Sequence, residues 1–315
     1  MASLPTLPRR SWLERGSLTL ALALTVTGVG TLAGWWLHLD ELLQPVADRA
    51  VLKVNGALGF AVLGFVLMAI EFGRRRLAAL ALVPAAIGVL TLVEILFRRN
   101  FQLDELLARD HLLILTEQPG RMSAMVATCL VLAGIALTWR TFDRGAHARL
   151  FAEAVIGSVL AAAGVSTLLG YGVDMRAVYS WGTATATSPV AAVALLLLGL
   201  ALILLAWRES VKETGGWPAW SPMPAVIGCL TLTVILSVGL RERERTYVQQ
   251  KTQNAAESLA VAIHGGLDQQ LNLLERLARR FGDNPQDSTD LRRDDAAQLL
   301  GRLFIFAAYV IDGST

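Results

Sequence analysis

Ser188-Pro-Val-Ala-Ala-Val-Ala-Leu-Leu-Leu-Leu-Gly-Leu-Ala-Leu-Ile-Leu-Leu-Ala-Trp207 is an unbroken run of 20 residues without a charge. About 20 such residues carry a helix across the hydrocarbon core of a bilayer. Arg208 and Glu209 end the run on one side, and Ser188-Pro189 opens it on the other. Six comparable runs lie around it: 17–37, 54–70, 77–97, 122–139, 154–173 and 222–240. One apolar run alone fits a buried core helix. Seven in succession, separated by charges or by Gly/Pro-rich breaks, predict an all-α polytopic membrane protein.

Composition agrees. Of 315 residues, 54% are hydrophobic and 17% charged, against about 25% charged in soluble domains. So few charges cannot cover the surface of a soluble fold of this size. A net charge of +2 gives no argument for nucleic acid. Cys129 and Cys229 lie in apolar runs without zinc or redox spacing, and read as small buried hydrophobes. Trp12, Trp35, Trp36, Trp139, Trp181, Trp207, Trp217 and Trp220 all fall near span ends or in connections, as in an aromatic belt. The run 17–37 is too long for a signal-peptide core and ends in Trp35-Trp36, so it reads as an anchor.

Charge density doubles at Arg241. Residues 1–240 hold 33 charged side chains and residues 241–315 hold 21. This predicts three segments: a cytoplasmic N-terminus (1–16), a seven-span module (17–240) and a more polar domain (241–315). With the N-terminus inside, the inner segments carry 11 Lys+Arg and the outer ones 7, with Arg74-Arg75-Arg76 the strongest cue. Residues 241–315 then lie outside a plasma membrane. Arg241, Arg243 and Arg245 argue the other way, softened by Glu242 and Glu244.

Three segments repeat: Leu52–Gly64, Met122–Gly134 and Thr187–Gly199. Each opens an even-numbered span and shares an alanine and a glycine seven residues apart: Ala57 and Gly64, Ala127 and Gly134, Ala192 and Gly199. Seven residues return to one helix face, where small side chains let helices approach closely. The repeating unit is span, outer loop, span, three times over, with the seventh span left alone. The six small residues read as helix-packing positions.

Ionisable residues within spans are functional candidates by default. Glu94, Lys53 and Glu153 all sit near span ends, where long side chains reach water. Glu94 and Lys53 are the candidates for ligand binding; the alternative for Glu94 is an ion pair with Arg98 or Lys53. Asp104, Glu105, Asp110 and His111 would serve an active site in an outer loop, but read as a solvated amphipathic stretch. No histidine has metal-ligand spacing and no catalytic fingerprint is present, so no catalytic residue, metal or cofactor is expected.

In the tail, Ala255, Leu259, Ile263, Leu267, Leu271, Leu274 and Ala278 form an apolar stripe on a helix over 242–280. It suits pairing with a second copy or docking on its own domain. Residues 282–290 read as a loop, 290–303 as a helix and 304–311 as a strand. One strand cannot form a sheet, so the sequence reads as a fragment of a longer protein.

Pro119-Gly-Arg-Met-Ser123, with Phe97-Arg-Arg-Asn-Phe-Gln-Leu-Asp-Glu-Leu-Leu107 before it, resembles the membrane region of bacterial multi-domain sensor proteins. So does Gly170-Tyr-Gly-Val-Asp174 with Tyr179-Ser-Trp-Gly182 and Thr187-Ser-Pro189. The tail resembles the start of a CHASE-like extracytoplasmic domain, which implies a long helix followed by a PAS-like α+β sheet. The resemblance implies an inner-membrane location and a histidine-kinase or diguanylate-cyclase output outside this chain; the partners expected are the bilayer, a second copy of the chain in a homodimer through the tail stripe, and an unidentified small-molecule stimulus. The rival reading is a transporter or channel subunit.

Overall fold

The computed structural model describes residues 12–46, 49–99, 110, 112, 118–142, 146–180, 185–214, 218, 220–283 and 297. They form nine α-helices: α1 (Trp12–Leu37), α2 (Asp40–Leu43), α3 (Val54–Glu71), α4 (Leu82–Phe97), α5 (Ala124–Thr138), α6 (Ala146–Gly172), α7 (Arg176–Ser180), α8 (Pro189–Thr214) and α9 (Met223–Asp283). Two 3₁₀ segments, Arg75–Ala81 and Trp139–Thr141, extend α4 and α5. Seven helices are long and apolar enough to cross a membrane, as the seven runs predict. No strand occurs among the described residues. The loop expected at 282–290 starts inside α9, and the rest of it, the helix at 290–303 (but for Ala297) and the strand at 304–311 lie outside them.

Local sequence explains the helix ends. Ser123 and Ser188 cap α5 and α8, their hydroxyls accepting from Val126 N at 3.3 Å and Ala191 N at 3.0 Å. Pro189 takes the first position of α8, where a missing N–H costs nothing. Hydroxyls within the spans return to their own helices: Thr25, Thr27 and Thr31 donate to the carbonyls four residues back. Those side chains therefore need no water.

The long helices pair as three hairpins, α1/α3, α4/α5 and α6/α8. The repeat alanines and glycines lie on the seam of each hairpin. A Cβ added at Gly64 would stand 2.7 Å from Thr25 N and 3.0 Å from Ala21 O, both on α1. One at Gly134 would meet Ala81 O at 2.6 Å, and one at Gly199 would collide with Gly157 O. The partner helix answers with its own glycine. Cβ atoms at Gly28, Gly88 and Gly164 would stand 2.7, 2.6 and 2.6 Å from the carbonyl oxygens of Ala57, Ala127 and Ala192. Ala57, Ala127 and Ala192 are fully buried. Backbone therefore lies on backbone at two levels of every hairpin.

The hairpins close in a ring. Each first helix also packs on the second helix of a neighbouring hairpin: α1 on α8, α4 on α3, α6 on α5. The second helices α3, α5 and α8 supply much of the apolar core. The three first helices end alike, in a left-handed residue at His38 (φ 54°), Arg98 (φ 51°) and Asp174 (φ 51°). The next amide turns back to Gly34 O at 2.9 Å, Glu94 O at 3.1 Å and Gly170 O at 2.7 Å. This is the Schellman ending three times, at one repeat position.

The chain divides into units Met1–Arg243 and Glu244–Thr315, three residues beyond the compositional break expected at Arg241. In the first unit α9 has few neighbours: Ile235 packs on the core, and a Cβ at Gly239 would collide with Val178 of α7. In the second unit Leu259, Ile263, Leu267, Leu271 and Leu274 are exposed. Two expectations need correction. Trp35 is buried and donates to Leu52 O at 2.9 Å, so it is an interior residue rather than part of a belt. Cys129 is buried, but Cys229 is exposed on α9, which has too few neighbours to cover it.

A side chain on the seam overpacks it. Gly134→Leu is expected to lower stability by about 1–3 kcal/mol or more, whereas Gly30→Ala, with open space around its Cβ, stays within about 1 kcal/mol of the parent. Thermal unfolding in detergent reads both, and equal midpoints would remove the seam from the account.

Candidate functional site

Buried charge collects at both ends of the bundle. At the end where α3 and α5 finish, Arg140 follows α5 and points at α6 and α8. Its guanidinium bonds Glu153, and it donates to Glu209 Oε1 at 2.6 Å. Arg149 reaches Glu209 Oε2 at 3.2 Å and stands 3.8 Å from Glu153. Arg208 bonds Glu71 of α3, and Glu71 accepts from Ser17 of α1 at 2.8 Å. Three arginines and three glutamates thus join all three hairpins. Glu153 is fully buried, which corrects the expectation that it reaches water from a span end. Helix length is the reason: α6 starts at Ala146, not 154, so Arg149 and Glu153 form an i, i+4 pair inside the helix.

At the opposite end lie Lys53 and Glu94. Lys53 precedes α3 and bonds Asp110, and its ammonium stands 5.8 Å above the Trp35 ring. Asp110 also accepts from Gly120 N at 2.8 Å and Leu112 N at 3.2 Å. Both side chains are nearly inaccessible, 4% for Lys53 and 1% for Asp110. Asp110 is therefore not solvated, contrary to the sequence reading. Asp104, Glu105 and His111 lie outside the described residues. Glu94 faces Arg121 at 3.6 Å rather than Arg98 or Lys53. Arg121 also donates to Arg99 O at 3.0 Å.

Pro119-Gly120 explains how Arg121 gets there. Gly120 has φ 71° and Arg121 N returns to Gln118 O at 3.4 Å, as in a turn with Pro second and Gly third. The turn aims Arg121 back at α4 and presents Gly120 N to Asp110.

Lys53 and Glu94 occupy the positions where the threefold pattern breaks. Gly34 and Gly170 are the counterparts of Glu94, covered by Leu43 of α2 and Val178 of α7. Ser123 and Ser188, both helix caps, are the counterparts of Lys53. The first and third hairpins close with a neutral bond from an aromatic to the residue before the cap: Trp35 Nε1 to Leu52 O at 2.9 Å, Tyr171 Oη to Thr187 O at 2.7 Å. Ile95, which can donate nothing, stands at that position in the middle hairpin, beside the Glu94–Arg121 ion pair.

The three junctions meet. Ser123 and Thr187 share a hydroxyl hydrogen bond of 2.8 Å. Leu52, Lys53, Met122, Ser123, Thr187 and Ser188 line a cavity of about 10 Å³, room for one water. Nearby, Tyr171 and Tyr179 stack at 4.1 Å, with Arg49 5.2 Å above Tyr171 and 3.2 Å from Asp174. The bond to Asp174 holds the Arg49 guanidinium above its ordinary range, and burial pushes the Tyr179 hydroxyl up.

Sequence reasoning singled out Lys53 and Glu94 and missed their partners. From sequence, Asp110 reads as part of a solvated stretch, and Arg121, Arg140, Arg149 and Arg208 enter only the charge totals of the segments between spans. The signal for the second cluster was present in Arg149/Glu153, four residues apart beside a span. Among the described residues no three His, Cys, Asp or Glu side chains stand close enough to hold a metal. Comparison with known proteins finds no matching family model, curated protein or solved structure.

Removing Glu153 leaves the buried Arg140 and Arg149 to share Glu209 alone, so Glu153→Ala is expected to cost about 3–5 kcal/mol. Lys212→Ala, which breaks the more exposed pair with Glu14, is expected to cost about 0–1 kcal/mol. Denaturant unfolding of both variants measures the difference, and similar losses would deny the cluster its role.

Proposed function

We propose that this chain is the membrane-embedded input region of a bacterial signalling protein. The observation that carries the reading is α9. A single helix, Met223–Asp283, contains the seventh apolar span and continues into polar sequence without a break. Such a helix can hand a displacement from one part of a chain to another, and it has few neighbours to hold it still. A closed six-helix body beside one loosely packed helix is the division of labour that a sensor requires. A stimulus needs only to bias two packings that differ by a few kcal/mol.

The rest of the reading extends the resemblance. The N-terminus is cytoplasmic, the membrane is the inner one, and residues 241–315 begin an extracytoplasmic CHASE-like domain with a PAS-like sheet. Output passes to a histidine kinase or diguanylate cyclase that is not among these 315 residues. The stimulus is a small molecule or a change in the membrane itself. A second copy covers the exposed stripe Leu259, Ile263, Leu267, Leu271 and Leu274. The bundle supplies packing and coupling in this scheme, and no residue in it acts as a catalyst.

Two measurements test the scheme. Alkaline phosphatase fused after Arg280 is expected to be active, and activity of a cytoplasm-only reporter there would reverse the topology. Leu267→Cys, in a Cys229→Ser background, is expected to give disulfide-linked dimers in membranes. Monomer alone after mild oxidation would sink the dimer.

A further inference from the structure

We infer that the junction of the middle hairpin is a releasable latch, and that the bundle opens there first. Three matched positions carry the argument. All three hairpins end their first helix with the same left-handed cap, so the backbone gives no reason for the junctions to differ. Their closures do differ. In the first hairpin Leu43 covers Gly34 and Trp35 bonds Leu52 O; in the third Val178 covers Gly170 and Tyr171 bonds Thr187 O. Neither closure contains a buried ion pair: charge reaches them only as the Lys53 ammonium over the Trp35 ring and as the more exposed Arg49–Asp174 pair beside Tyr171. The middle junction is fastened by charges: Glu94 to Arg121, and Lys53 of the first hairpin to Asp110.

The chemistry of the two kinds of closure differs in the open state. Lifting Leu43 or Val178 off a glycine exposes apolar surface, which water penalises. Separating a buried ion pair releases two ions into hydration, which recovers much of what their burial cost. The paired and hydrated states of a charged latch are thus close in free energy, whereas a neutral closure has one preferred state. Both pairs hold one short stretch. Asp110 binds the amides of Leu112 and Gly120, Lys53 binds Leu112 O at 3.3 Å, and Arg121 lies next to Met122 and the Ser123 cap of α5. Release of the pairs therefore frees the start of α5. The Ser123–Thr187 hydroxyl bond then passes that movement to α8.

Residue-resolved hydrogen exchange on the full chain in lipid nanodiscs tests this. Protection at 120–125 is expected to be about tenfold or more below that at the matched junctions 50–55 and 185–190. Glu94→Gln is expected to lower protection at 120–125 further and to leave the other two junctions unchanged. Equal protection at all three junctions in the parent chain would overturn the proposal, and that comparison needs no variant to fold. A Glu94→Gln chain that loosens all three together, or leaves 120–125 as it was, would overturn it too. The readout is local opening alone, so a sealed junction would leave the sensory reading standing, and a failed topology or dimer test would leave the latch standing.

Discussion

Lipid gives two apolar helices no reason to associate, since hydrocarbon solvates leucine as well as another leucine does. What lipid cannot supply is close packing of backbone against backbone. The seam of each hairpin meets that condition. Gly28, Gly88 and Gly164 bring one helix onto the carbonyls of Ala57, Ala127 and Ala192, and Gly64, Gly134 and Gly199 return the contact one level away. Each contact gains little alone, but at this distance dispersion acts along the whole seam. The ring of hairpins, the capped ends and the convergence of the junctions all follow from three seams of the same geometry.

The seams leave rotation and relative height of the hairpins weakly determined, because apolar surfaces slide. The cluster of Arg140, Arg149, Glu153, Arg208, Glu209 and Glu71 answers that. Its contacts run between hairpins: Arg140 of the middle one to Glu153 and Glu209 of the third, Arg208 of the third to Glu71 of the first. A buried ion pair is weak evidence for net stability but strong evidence for one arrangement over its alternatives, because a shifted register would strand charges. The cluster therefore acts as a registry device at that end of the bundle.

The fold was legible where its physics is periodic or compositional. Seven apolar runs gave seven spans, and the Ala57/Gly64 spacing marked one face of a helix. A single helix through 242–280 also followed from period alone, from a stripe whose first members are Ala255 and Leu259. What stayed hidden depends on contacts distant in sequence. Trp35 looked like an interfacial tryptophan because its bond to Leu52 O needs the hairpin to exist first. Asp110 looked solvated because its burial depends on Lys53 and on the Pro119-Gly120 turn. Helix ends were misplaced at Arg149 and Glu153 because charges near a span read as its boundary, unless they are paired across helices.

The candidate site was half legible for the same reason. Lys53 and Glu94 stood out as ions in apolar sequence, but their meaning comes from the positions they occupy in the repeat. Against Gly34 and Gly170, a glutamate at 94 is a substitution of the pattern, and against Ser123 and Ser188 so is a lysine at 53. A scaffold built from three equivalent hairpins has no preferred direction of movement. Buried ion pairs at one of the three junctions break the equivalence, since the other two close with a neutral hydrogen bond from an aromatic side chain. The departure from threefold equivalence thus resides in Lys53, Asp110, Glu94 and Arg121 and not in the fold that holds them.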